Sequence, residues 1–363
     1  MAQPSRPAMA PAAGVAFTGA LAAAPPVLGP TWDFLLLGPG ATVLVSALYV
    51  LLMVMHREAA AASLATTLSL VVLGPHYAAT YRRAYASAEI LRAHPLVTVV
   101  APLGLLAAAA LAVHSPRDFG PFYFLAYVAW SGYHYSGQSL GIAMLYPLRQ
   151  HARLDVREKR LLALPLYVSW LVSLVGLMQA GAAARNPAYE IVRDTFSPVS
   201  LPSWAIGLLL VPLVGSLAGP VLVARGRRRR GLPLPRACTG VIAAQVIWFG
   251  CGLFFPFFGV VLVPVFHSLQ YLALTGWHHT RGGRSLGSFT VYVIVVLAVG
   301  LVINPGLLIV FAPAGLFVPK GASALPVAAA VISAVNLHHF LMDGRIWRLR
   351  ERRVAQSFVQ PSV

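Results

Sequence analysis

The run Asn336-Leu337-His338-His339-Phe340-Leu341-Met342-Asp343-Gly344-Arg345-Ile346-Trp347 ends the last long apolar stretch of the chain and carries two adjacent imidazoles and a carboxylate. His339 and Asp343 are four residues apart, so on a helix they share a face. By sequence pattern, Asp343 is the only acidic residue close to an apolar core, where a carboxylate is costly unless something pairs with it. Three earlier apolar runs hold polar clusters of their own: His76-Tyr77, His134 with Gln138, and His267 with Gln270 and Tyr271. His134 and Gln138, and likewise His267 and Tyr271, are spaced to lie along one helix face.

Imidazole is the commonest metal ligand near neutral pH, and intramembrane imidazoles suit iron, zinc or copper. A ligating histidine usually passes its second ring nitrogen to a carboxylate or amide. The candidate ligands are therefore His76, His134, His267, His338, His339 and Asp343, with Gln138, Gln270 and Tyr271 as the groups that bind beside the cofactor and orient them. Two of the histidines could instead be axial ligands of a haem that carries electrons, or the set could relay protons or ions in a transporter. The plain alternative for His134 and His267 is a helix-to-helix hydrogen bond, which holds bundles together at about 1 kcal/mol. For Asp343 it is a cap or an exposed pair with Arg345 or Arg348.

The elements that must position these residues are membrane spans. Mean hydropathy is +0.74, 58% of residues are hydrophobic and only 10% are charged, against roughly a quarter charged in a soluble domain. Uncharged apolar segments recur from Thr31 to Leu341, each near the ~20 residues that cross a bilayer as a helix. They are apolar all round, which excludes the alternating strands of a barrel. The pattern predicts an all-α polytopic bundle of about ten helices over 31–347, with spans near 33–55, 59–77, 96–113, 120–146, 161–181, 201–224, 237–255, 257–279, 287–311 and 323–344. Residues 1–30, rich in Ala and Pro, read as a disordered cytoplasmic tail, and 348–363 as a basic cytoplasmic tail. Pro256 and Gly259 predict a tight hairpin between the seventh and eighth spans.

The net charge of +17 does not point to nucleic acid, because the basic residues sit in short gaps between spans. Of 27 Lys and Arg, 22 fall at the termini and after even-numbered spans, and 5 on the other side. That alternation is the positive-inside pattern of an inner-membrane protein with both termini cytoplasmic. The run Arg227 to Arg230 reads as a topology determinant that touches the headgroups of membrane lipids. Tyr77, Tyr81 and Tyr85 read as an aromatic belt. Cys238 and Cys251, ~20 Å apart by helical rise on one helix, cannot form a disulfide. Walker and GxGxxG motifs are absent from the sequence.

The fragments His76-Tyr77 with Tyr81-Arg82, HxxxQ at His134, HxxQY at His267 and HHxxxDGxxW at His338 resemble a group of bacterial polytopic membrane proteins that share scattered His, Gln and Asp-Gly motifs. The likeness runs over most of the chain from the second span onward and implies the same membrane fold. A looser likeness is to histidine-rich membrane oxygenases and desaturases, although the chain has no HxxxH or HxxHH box. That likeness implies iron held by histidines at the cytoplasmic side and oxidation of a lipid or isoprenoid.

Overall fold

The computed structural model describes residues 26–115, 118–183, 202–280, 285–303 and 324–347, together with 354 and 358. Every regular element among them is helical. A bent segment opens the bundle, Pro30–Leu37 followed at an angle of 44° by α1, Pro39–Val54. Then come α2 (Glu58–Tyr85), α3 (Leu96–His114), α4 (Gly120–Arg149), α5 (Val156–Ala183), α6 (Ala218–Arg229), α7 (Arg236–Phe254), α8 (Pro256–Thr280), α9 (Leu286–Ile303) and α10 (Ala324–Ile346).

Seven of these helices are long and apolar enough to cross a membrane, and eight if the bent opening segment is counted as one span. The architecture is that of a multi-pass helical membrane protein. The expected count of about ten is not confirmed among the described residues, for two physical reasons. Helix α4 is 30 residues long but carries Ser131, His134, Ser136, Gln138 and Ser139 through its middle, which lowers its hydropathy. The run predicted at 201–224 breaks into Ser203–Leu208, Leu210–Ser216 and α6. The second half of the span predicted at 287–311, the predicted tails 1–25 and most of 348–363 lie outside the described residues.

The second span differs most from expectation. It was predicted to stop at 77, beside Pro75, yet α2 continues to Tyr85 with Pro75 inside it. Proline removes one backbone donor and crowds the preceding turn, yet the helix runs on through it, and α9 packs tightly over the spot. A Cβ on Gly300 would collide with backbone atoms of Gly74 and Pro75, so only glycine lets the two backbones approach this closely. His76 is consequently an interior residue of a long helix and not the end of a short one.

The expected hairpin is present: Phe255 alone separates α7 from α8. Its two helices carry much of the core, including Trp248, Phe258, Leu262 and Phe266, with Trp248 Nε1 donating to Thr42 Oγ1 of α1 at 2.6 Å. The three tyrosines of α2 pin helices together and do not form a belt. Tyr77 donates to Asn336 Oδ1 (2.7 Å) and Tyr81 to the Val335 carbonyl (2.9 Å), both on α10, while Tyr85 donates to the Thr98 carbonyl of α3 (2.7 Å).

Among the described residues, two further acids are buried besides Asp343, contrary to the sequence reading. Asp33 accepts the backbone N–H groups of Val27 and Leu28, both at 2.8 Å. Glu158, at the start of α5, pairs with Arg227 and Arg230. Arg227 is only 1% exposed and also donates to the Ala152 and Leu232 carbonyls, so this member of the arginine run closes one end of the bundle instead of meeting headgroups.

Candidate metal centre

Four helices bring their histidines to one place. Helix α2 supplies His76 and, one turn on, Thr80; α4 supplies His134; α8 supplies His267 and Tyr271; α10 supplies His339 and Asp343. Each pair is spaced i,i+4, which stacks both side chains on the same helix face. The ring centroids of His76 and His339 are 4.2 Å apart, those of His76 and His267 4.9 Å, of His134 and His267 5.0 Å, of His134 and His339 5.3 Å, and of His267 and His339 6.4 Å. His76, His267 and His339 are each at most 1% exposed.

Asp343 meets this group through one oxygen. Its Oδ2 lies 3.3 Å from His339 Nε2 and 3.8 Å from His134 Nε2. Its Oδ1 accepts the Tyr271 hydroxyl at 3.0 Å and lies 3.1 Å from Thr80 Oγ1. Tyr271 in turn accepts from Thr80 Oγ1 at 2.6 Å and from Trp347 Nε1 at 3.0 Å. The carboxylate is thus tied on one side by α2, α8 and the end of α10, and turned with its other side toward the imidazoles. Arg83 lies over the Trp347 ring at 3.9 Å, which covers this network.

The donors form two sets that could each hold a metal ion: His76, His267 and His339, and His134, His339 and Asp343. Both ring nitrogens of His76, His267 and His339, and Nε2 of His134, are buried without a hydrogen-bond partner. A buried polar atom left unpaired costs about 1–3 kcal/mol, so a native cluster of them requires an explanation. An ion bound by those nitrogens provides one.

Other predicted residues sit elsewhere. His338 points away from the cluster, its Nε2 2.9 Å from the Val97 carbonyl and its Nδ1 3.3 Å from the Tyr81 hydroxyl. Successive side chains on a helix diverge by about 100°, so His338 and His339 cannot face the same centre. Gln138 does not reach an imidazole ring; its Nε2 donates to the backbone carbonyl of His267 at 3.0 Å, fixing α8 against α4. Gln270 is turned to the far side, where its Nε2 donates at 2.7 Å to the Leu37 carbonyl beside the bend of the opening segment. Tyr271 is at the site, as the partner of Asp343.

The sequence reading missed Thr80 and Phe340, and held Trp347 only as the last residue of the HHxxxDGxxW motif. Thr80 was discoverable as the i+4 neighbour of His76. The ring of Phe340 stacks on His134 at 4.4 Å, a contact with no polar signal in the sequence.

A cavity of about 490 Å³ adjoins the cluster, and His134 and Asp343 form part of its wall. The remaining lining is mostly apolar or aromatic. Gly137 and Gly141 open it along α4, since a Cβ at Gly141 would meet nothing within 4 Å. Trp130 and Tyr133, 40% and 53% exposed, stand where the cavity reaches the outer surface of the bundle. Compared with protein-family models, with curated proteins and with solved structures, the chain matches none.

Proposed function

We propose that the His76, His134, His267, His339 and Asp343 cluster binds a transition metal, and that the protein is a metal-dependent membrane oxidoreductase acting on a lipid or isoprenoid. The observation that carries the reading is the set of buried imidazole nitrogens without a hydrogen-bond partner, two of which, on His339 and His134, face one carboxylate oxygen. Two histidines and one carboxylate with free positions are the donor set of non-haem iron(II) oxygenases, and His134, His339 and Asp343 supply those donors. Iron there would activate oxygen. The chain's own groups do the rest: Tyr271 and Thr80 hold Asp343 in place, Phe340 packs against His134, and the apolar cavity takes up a hydrocarbon chain that enters between helices beside Trp130 and Tyr133.

An ion suits this cluster better than a haem. A macrocycle placed between two of the rings as axial ligands would have to displace the other imidazoles, whose centroids stand 4.2 to 6.4 Å apart. A proton or ion relay would use the same groups, but an apolar cavity ending at the cluster favours a hydrocarbon substrate. The 22-to-5 division of basic residues supports ten membrane segments, with α4 and the broken run 203–229 among them, and both termini on the cytoplasmic face of the inner membrane.

Elemental analysis and absorption spectroscopy of the purified protein in detergent test the reading. Iron bound in stoichiometric amount, lost on His339→Ala, and oxygen uptake in the presence of isoprenoid or fatty-acyl chains are expected. Protein that stays free of metal after reconstitution with Fe²⁺, Zn²⁺ or Cu²⁺ would rule it out.

A further inference from the structure

We infer that the cluster is built for two ions, with His339 as the ligand common to both. The inference rests on the metal reading above and goes beyond it in stoichiometry and in the role of one ring. Donors to a single ion, at bond lengths of about 2.0–2.2 Å, lie at most about 4.4 Å apart. The donor atoms here separate into two sets, each with its members within 4.8 Å of one another, and His339 is the one residue in both. No set among the described residues unites His76 or His267 with His134 or Asp343. In this arrangement the five ligands fall to two positions and not to one.

The second set already has the spacing of a coordination shell. Asp343 Oδ2 stands 3.3 Å from His339 Nε2 and 3.8 Å from His134 Nε2, as expected of donors converging on one ion between them. That assignment uses Nε2 of His339 and leaves Nδ1 on the other edge of the ring. The second nitrogen of a ligating histidine normally goes to a hydrogen-bonding group such as a carboxylate or a carbonyl, yet His339 Nδ1 is buried and no protein group hydrogen-bonds to it. His76 and His267 have both nitrogens in the same condition. An ion shared by His339 Nδ1, His76 and His267 satisfies one nitrogen on each ring, and leaves the other nitrogen of His76 and of His267 to carry its proton. Nitrogen-rich sets of this kind take first-row divalent transition ions.

The two ions are not equivalent. A ring that ligates through both nitrogens has lost its N–H proton, so uptake of the second ion releases one proton more than a neutral imidazole would, and its affinity rises with pH. The position formed with His134 and Asp343 borders the cavity, whereas His76 and His267 are absent from the cavity wall. The cavity-side ion is the one a substrate or oxygen would meet.

The test is a titration of the full-length protein in detergent, stripped with chelator and reloaded with Zn²⁺ or, without oxygen, Fe²⁺, with tightly bound metal and released protons measured per chain. Two ions per chain are expected in the wild type, one in Asp343→Asn, one in His267→Ala, and fewer than one in His339→Ala. One ion in the wild type, lost alike in Asp343→Asn and His267→Ala, would overturn the two-ion assignment and leave the metal centre standing. No bound metal would overturn both. If the variants fail to fold, as judged by circular dichroism and gel filtration, the wild-type stoichiometry decides the question alone.

Discussion

Tyr271 shares its hydroxyl among three neighbours, accepting from Thr80 and Trp347 and donating to Asp343. Removing that oxygen in Tyr271→Phe leaves Trp347 Nε1 without its acceptor and Asp343 with one donor fewer, at about 1–3 kcal/mol for each buried group so stranded. The carboxylate is then free to turn from the imidazoles. Metal affinity is expected to fall about 10- to 100-fold, the usual effect of losing a group that orients a ligand. His338→Ala gives the contrast. It removes contacts to Val97 and Tyr81, so thermal stability is expected to drop while bound metal per chain stays at the wild-type value. Measuring both quantities in both variants separates the two neighbouring histidines; metal loss in His338→Ala would place it at the centre after all.

At the scale of elements, Gly300 is where the position of His76 is decided. Any side chain there meets the backbone of Gly74 and Pro75, one residue from the ligand. Gly300→Val is expected to cost about 1–3 kcal/mol, as overpacked cores do, and to lower metal content because α2 must shift. Gly104→Ala, where a Cβ meets nothing within 4 Å, is the control and is expected to change neither. Thermal unfolding and metal analysis of the two variants check this; equal behaviour would mean that α2 and α9 can separate without consequence. The same region shows what could and could not be read from the sequence. Helix type and the convergence of His76, His134, His267 and His339 followed from apolar run lengths and from residue types that are expensive in a membrane. The continuation of α2 through Pro75 did not, because a proline reads locally as a break and the helix packed against it, at Gly300, lies more than 200 positions away. The turn of His338 and Gln270 away from the centre depended likewise on which carbonyl, Val97 or Leu37, tertiary packing brought within reach. Thr80 and Tyr271 show the opposite case, in which i,i+4 spacing alone marks the partners.

For the whole molecule, the proposed ten-segment topology makes a simple demand. Reporter domains fused at the C-terminus and at position 187 are expected on opposite faces of the membrane, with the C-terminal fusion cytoplasmic. Both on one face would require an even number of crossings between them and would end the proposal. The order in which the site's parts are made has a consequence for the life of the molecule. Thr80 and Asp343, which meet at the centre, are 263 residues apart. At about 5–20 residues per second, roughly 13–53 s of synthesis separate them. His339 and Asp343 belong to the last helix, so no nascent chain presents a complete set of donors until α10 has been made. If the cluster holds metal as proposed, each copy would begin as an apo form and could be loaded fully only once α10 has been made.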